Sequence, residues 1–401
     1  MTMPAVFPAL TRRTFLAGAA TIPAALPAVA GAGIAEGTLR VGVIGCGGRG
    51  TGAALQALSL GGVRVEALAD LFPDQIDSAA AILAAEGHAG LAGTARRFHG
   101  RDAWREILEM PLDAVILAAP PATRPHHLAA ALAAGFHCWC ETPAAIDDAG
   151  LAIAGDALDR AEREGLVVAS GLCSRFDAPT AATIERVRAG AVGRVRSIAL
   201  HHDGHLPWRR SVAPGTTTAE ERERNWIWHA SLSGGHLVEH HVHALDRALW
   251  ILGDDMPLGV EAVLPPEAPL PGHGDVHTAL HVRYAFASGA VVEASCRRAP
   301  RDGAGRLEEV RGARGSADLV AGLVDGAGGR WRAEGVAPAR RGEMFTTGMA
   351  DFLRLVGSRG TAAERVAGGR RLVRATALAV AGTVAAAGRV GRAGDLLSGR
   401  A

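Results

Sequence analysis

Leu39-Arg-Val-Gly-Val-Ile-Gly-Cys-Gly-Gly-Arg-Gly50 decides the fold, because a short apolar strand runs straight into Gly45-x-Gly47-x-x-Gly50. An Ala/Leu helical pattern follows (Ala53, Ala54, Leu55, Leu58), then a second apolar run, Val63 to Ala69, closed by Asp70. Gly45 permits the tight strand-to-helix turn, Gly47 lets bare backbone approach a pyrophosphate, and Gly50 lets the helix pack closely on the sheet. The helix start turns unpaired N–H groups and the positive end of its dipole toward phosphates, so Cys46, Gly48 and Arg49 belong to the same cradle. Asp70, at the tip of the second strand, can accept from both ribose hydroxyls and would repel a 2'-phosphate, which favours NAD over NADP. Arg49 tempers that preference, since a guanidinium in the loop can stack on adenine or pair with a phosphate.

Composition narrows the partners. A chain of 401 residues with a net charge of +1 has room for two cores and no electrostatic footprint for nucleic acid or an anionic membrane. Five cysteines (Cys46, Cys138, Cys140, Cys173, Cys296) show neither metal-ligand spacing nor an even disulfide framework. Lysine is absent, so all 42 basic residues are arginine, and acid–base work falls to His, Glu, Asp, Cys or the lone Tyr284. Thr11-Arg12-Arg13-Thr14-Phe15-Leu16, followed by an Ala/Gly/Pro-rich stretch ending near Ala28-Val29-Ala30, resembles a twin-arginine export signal. Residues 1–37 are expected as leader and linker, and the mature protein as periplasmic or secreted.

Strand and helix patterns then alternate. Asp113 to Ala118 is a buried strand leading to Ala119-Pro120-Pro121. Phe136 to Cys140 leads to Glu141-Thr142-Pro143, and Val167 to Ser170 closes the series. Loops at these carboxyl ends are where doubly wound sheets bind ligands. From about Val195 the pattern changes to alternation with hairpins, including one across Ser288-Gly289. The expected fold is α/β: a Rossmann domain with a parallel doubly wound sheet over residues 38–171, then an α+β domain with a large, open, mainly antiparallel sheet over 172–345. Residues 346–401 read as a helical tail of no evident function.

The ordered motifs, from Val41-Gly-Val-Ile-Gly-Cys-Gly-Gly-Arg-Gly50 through Ala119-Pro120-Pro121, Glu141-Thr142-Pro143 and Gly171-Leu-Cys-Ser-Arg175-Phe to Gly234-Gly-His-Leu-Val-Glu239-His-His-Val-His243-Ala-Leu-Asp246, resemble the Gfo/Idh/MocA oxidoreductases over residues 38 to 325. The resemblance implies a sugar or polyol substrate held between the domains beside the nicotinamide. It also implies a homo-oligomer formed through the solvent face of the second sheet. Two positions depart from the family. Thr142 stands where a lysine usually contacts the reacting hydroxyl, and Arg124 stands where a histidine is common.

On a helix Glu239, His243 and Asp246 line one face, where neighbouring carboxylates should raise the imidazole's pKa and fix its tautomer. His243 is therefore the expected general base, with Glu239 orienting either the imidazole or the substrate hydroxyls and Asp246 structural. Arg175 either stabilises a developing alkoxide, binds an acidic sugar group or makes a surface ion pair, and Thr142 either bonds substrate or nicotinamide amide or fills space. Glu141, Pro143, Ala119, Pro120 and Arg124 are expected to shape the nicotinamide pocket. His236-Leu-Val-Glu239-His240 also fits a His-x-x-Glu-His zinc pattern, but its flanking Gly234-Gly235 and Asp246 belong to the oxidoreductase motif, and no metal is assigned. The leading expectation is an exported NAD-dependent oxidoreductase. A redox-neutral NAD-dependent glycosidase and a non-catalytic nucleotide- or sugar-binding protein are the alternatives.

Overall fold

Short strands alternating with helices build the first domain, because its central strands are apolar on both faces and must be covered twice. The computed structural model describes residues 38–88, 95–265, 274–299, 305–335, 341–358 and 360–388. The expected leader, residues 1–37, lies outside them. The chain runs β1 (Leu39–Ile44), α1 (Gly48–Ser59), β2 (Val63–Asp70), α2 (Pro73–Leu83), β3 (Arg96–His99), α3 (Ala103–Leu108), β4 (Ala114–Leu117), α4 (Arg124–Ala133), β5 (His137–Cys140), α5 (Asp148–Glu164) and β6 (Val168–Ser170). The strands pair in parallel in the order β3-β2-β1-β4-β5-β6. That order reverses direction between β1 and β4, which is the switch point where such sheets hold ligands.

After α6 (Ala178–Arg188) come β7 (Val195–His205), α7 (Thr218–Arg224), α8 (Val242–Leu252), β8 (Gly259–Val263), β9 (Ala279–Ala285), β10 (Val291–Ala299), β11 (Gly305–Gly312), β12 (Ser316–Asp318), β13 (Leu323–Gly326) and β14 (Gly329–Arg332). They form one open sheet, β14-β13-β12-β11-β7-β10-β9-β8. Every described pairing is antiparallel except β7 with β10, which run parallel with Ser197 opposite Val291. Alternation along β9 and β10 buries Val282, Tyr284, Val292 and Ala294 on one face. Among the described residues no helix is long and apolar enough to cross a membrane.

The expected helical tail is two helices, α9 (Arg341–Gly357) and α10 (Ala362–Ala386), which pack into both cores. Met349 and Phe352 enter the first domain's core beside Leu68 and Trp139, with the Phe352 and Trp139 rings edge to face at 6.0 Å. Leu378 and Val380 of α10 share a core with Leu158 and Val168 of the first domain and Val282 of the second. Tyr284 donates its hydroxyl proton to the Leu378 carbonyl at 3.0 Å, and the Ala144 amide donates to Thr376 Oγ1 at 3.0 Å. A single helix thus fastens both sheets.

Gly50 is where α1 meets the sheet most closely: a Cβ there would lie 1.8 Å from the Gly45 carbonyl oxygen, whereas one at Gly47 meets nothing within 4 Å. Gly50→Ala is expected to cost about 1–3 kcal/mol of stability in urea unfolding. Gly47→Ala, at φ −70°, is expected to leave the unfolding midpoint unchanged or slightly raised.

Candidate active site

The carboxyl ends of β1 and β4 meet in a crevice floored by backbone. Gly45 takes φ 96°, and a Cβ there would sit 2.4 Å from the Ala119 amide nitrogen, so only glycine lets the two loops touch. α1 then starts from Gly47 with no side-chain cap, and Gly47 and Gly48 face open space. Uncapped N–H groups beside bare glycine are the features a pyrophosphate requires, so this chain's own residues fit a dinucleotide. Asp70 fastens the cradle: Oδ2 accepts the Cys46 amide at 2.7 Å and Oδ1 the Phe72 amide at 3.0 Å. Burial raises the Asp70 pKa against these bonds. Each oxygen keeps a further lone pair for a ribose hydroxyl. Cys46 is buried, and its thiol points back to the Ala69 carbonyl.

At the end of β5, Glu141 is buried and its Oε1 accepts from Arg49 Nη2 at 2.8 Å and from Trp139 Nε1 at 3.0 Å. Burial pushes this carboxyl up, but Arg49 and the Trp139 bond outweigh it and hold the group below its ordinary range. Arg49 is thereby turned across the crevice, with its guanidinium 4.5 Å from the centre of the Phe345 ring in α9. Next along the chain, Thr142 Oγ1 lies 3.3 Å from His243 Nε2, at the start of α8. One hydrogen bond thus joins the two domains at the carboxyl end of the parallel sheet.

The surroundings of His243 differ from the expected carboxylate cluster. Residues Leu237–His241 form a wide π turn before α8. Glu239 Oε2 accepts from Arg298 Nη2 at 3.1 Å, and Asp246 is held by Arg175 through Nε and Nη2 at 2.8–3.0 Å. With those carboxylates engaged elsewhere, burial and the Arg247 charge push His243 down to about 4 rather than up. His243 Nδ1 is buried without a partner.

Two arginines are engaged by the protein itself. Arg175 is bound by Asp246 and by Asp254 at 3.1 Å and lies over the Trp250 ring, an ion pair and not an alkoxide ligand. Arg124 is buried and donates to the Pro143 carbonyl and, at 2.6 Å, to the Ala119 carbonyl, tying together the loops after β4 and β5. Pro120 and Pro143 stand in those same loops, Pro143 after a cis peptide bond. Among the described residues no three His, Cys, Asp or Glu side chains converge as a metal would need. In place of that cluster, His236 and His240 stack at 5.4 Å.

Residues 181–318 match the sequence model of the GFO/IDH/MocA C-terminal domain. The match lies within the second domain. No curated protein matches the sequence. Several solved structures share the fold over most of this chain. A levoglucosan dehydrogenase solved with NADH and levoglucosan is 20% identical over 88% of this chain and 98% of that one, with a TM-score of 0.66. Myo-inositol 2-dehydrogenase from Lactobacillus plantarum is 18% identical over 88% and 99%, with a TM-score of 0.65. An oxidoreductase from Agrobacterium radiobacter, solved with NAD+, L-tartaric acid and magnesium, is 18% identical over 90% and 99%, also at 0.65.

Phe345, Arg298 and Glu308 enter the site or its support without having been singled out in the sequence. Glu308 is buried beside Arg247, which donates to both of its oxygens, and the Arg247 and Arg306 charges bring its carboxyl down to about 2 despite burial. A signal did exist: Arg298 follows Val292, Ala294 and Cys296 in the inward phase of β10, and Glu308 precedes Val310 in that of β11. A charge at an inward position requires a partner. Arg175→Met leaves the buried Asp246 without its guanidinium and is expected to cost about 3–5 kcal/mol in urea unfolding. An alkoxide-stabilising role would instead show as lost turnover at unchanged stability.

Proposed function

We propose that this chain is an NAD-dependent oxidoreductase that moves a hydride between the nicotinamide and a sugar, polyol or sugar derivative. The observation that carries the reading is the Thr142–His243 contact at 3.3 Å, which sets a neutral imidazole from the second domain beside the crevice of the first. The dehydrogenases that share the fold, among them structures with NAD+ or NADH bound, support the cofactor and the substrate class. Asp70 at the tip of β2 supports NAD rather than NADP.

When bound, NAD supplies the hydride acceptor or donor. Nε2 of His243 takes the proton of the substrate hydroxyl as the C–H bond opens, and Thr142 Oγ1 shares the hydrogen bond and aligns the hydroxyl. No lysine is needed, because an imidazole depressed to about 4 is unprotonated at neutral pH. Glu141 keeps its charge through Arg49 and holds that guanidinium at the crevice wall. The Thr11-Arg12-Arg13 motif supports export of the folded protein. The open second sheet, with Leu258 and Val263 exposed near its β8 edge, supports self-association.

Incubation with NAD+ and a panel of sugars, polyols and their oxidised derivatives is expected to give reduced nicotinamide absorbance. His243→Ala should lower kcat by about 100-fold or more while NAD binding persists. Cleavage of an aryl glycoside with no net reduced cofactor would replace this reading with a redox-neutral one. Turnover should fall as the pH drops toward about 4, where His243 takes up a proton. Stability should fall over the same window: the unfolded imidazole charges near its ordinary 6.5, so the folded state loses ground from there down to about 4. Replacing Arg12 and Arg13 together by Lys should leave the protein in the cytoplasmic fraction.

A further inference from the structure

Between the end of β7 and the Gly234–Gly235 pair runs a long connection, residues 206–234, that includes α7 and crosses from the second domain to the first. It is knitted into one piece. Asn225 is buried, and its Oδ1 accepts the Arg210 amide at 2.7 Å while its Nδ2 donates to the Arg210 carbonyl at 3.1 Å. Trp228 Nε1 donates to the Trp208 carbonyl at 3.0 Å. The loop before α7 and the turn after it are therefore fastened to each other and move together.

Its contacts with the first domain are all at strand ends. Arg224 reaches Asp74 through Nη1 and Nη2 at 3.1 and 3.0 Å and lies 4.0 Å from the centre of the Phe72 ring, while its Nε donates to Glu220 at 2.8 Å. Glu223 beside it pairs with Arg101 at 2.6 Å. At the far end the Leu232 carbonyl accepts the Ala122 amide at 3.2 Å, and a Cβ on Gly234 would lie 3.3 Å from Ile146. Phe72 and Asp74 follow β2, Arg101 follows β3, Ala122 follows β4 and Ile146 follows β5. In the sheet order β3-β2-β1-β4-β5 the connection thus bears on the loops to either side of β1. At Gly47 and Gly48, in the loop after β1 itself, an added Cβ would meet no atom within 4 Å. A bridge that rests on both sides and leaves its middle clear has the form of a strap over a ligand. The Arg210 charge is felt at Asp70, so the strap also brings a cation to the ribose end of the cradle.

We infer that residues 206–234 close over the adenosine and pyrophosphate of a bound dinucleotide, that the contact of Arg224 with Asp74 and Phe72 is the clasp that holds them shut, and that the cofactor therefore stays with the protein from one turnover to the next. The inference rests on the reading of the crevice as an NAD site. A dinucleotide extended from Asp70 toward Thr142 passes beneath the strap and leaves only when the strap lifts, which parts Arg224 from a carboxylate and an aromatic face at once. A lone exposed ion pair would hold little, but the Arg224 side chain is only 20% exposed and meets two carboxylates and a ring. The clasp touches no reacting atom, so it governs how long the cofactor resides and not the hydride step.

The test loads the full chain with NADH, mixes it with excess NAD+, and follows release by the loss of energy transfer from tryptophan to the reduced nicotinamide. Wild-type release is expected to have a half-life longer than about 10 s. Arg224→Gln and Asp74→Ala should each speed release by about 3- to 10-fold, and the double variant should be no faster than Arg224→Gln alone, because both break one clasp. Arg160→Gln, which removes an exposed pair with Glu164 on α5, should leave the rate unchanged. A shorter wild-type half-life overturns the proposal, as do unchanged rates in both clasp variants. Should Arg224→Gln fail to fold, the wild-type rate and Asp74→Ala still decide. Slow, clasp-dependent release without turnover of any sugar or polyol leaves the strap standing and removes the dehydrogenase reading; fast release with sustained turnover does the reverse, and failure to bind NADH removes both.

Discussion

The structure depends on one close approach, that of α1 to the turn after β1. Gly50 rests on the Gly45 carbonyl, and Gly45 in turn rests on the Ala118–Ala119 backbone. Only hydrogen atoms fit at these two positions, and because they do, three chain segments converge with their amide groups directed into a common space. The Cys46–Asp70 bond at 2.7 Å ties a fourth segment to the same point. An added methyl group there would separate the helix from the sheet and scatter the donors that make the crevice a cradle.

The second domain is held to this frame largely by arginine. Arg175 joins the segment after β6 to α8 through Asp246, and Arg247, one residue further, reaches Ser174 in the first direction and Glu308 of β11 in the other. His243 sits one turn earlier on the same helix, so its position against Thr142 follows from these pairs. In a chain without lysine such work suits the guanidinium, which stays charged when buried and bonds a carboxylate through two atoms at once. Burial depresses the imidazole, and the arrangement adds to it: Arg247, which anchors the helix, is a cation beside it.

Much of this was legible in the residues. The glycine spacing, the apolar strands and the change to alternation after Val195 specify two sheets of different kind, since period and burial leave few other ways to cover them. β3 escaped notice because Arg96, Arg97 and His99 surround a single buried Phe98, as befits an edge strand that must not invite pairing. The helical register from Glu239 to His243 misled, because Glu239 turns to Arg298 and Asp246 to Arg175, which leaves the imidazole to burial and the Arg247 charge. The π turn Leu237–His241 leaves no periodic mark in sequence. Which carboxylate meets which arginine is likewise a matter of tertiary placement. The inward phase of Arg298 and Glu308 was visible, however, and a charge in an apolar alternation is worth pursuing wherever it occurs.

Helices α9 and α10 carry a consequence for biosynthesis. Met349 and Phe352 complete a core begun by Val41 and Leu68, so the nucleotide-binding half stays unfinished on the ribosome until nearly the whole polypeptide has emerged. Maturation of that half is therefore a late, post-translational event, coupled to the arrival of the second sheet through α10. A nascent chain cut short anywhere before these helices leaves exposed apolar surface on both halves, a mark by which quality control can tell it from the finished product.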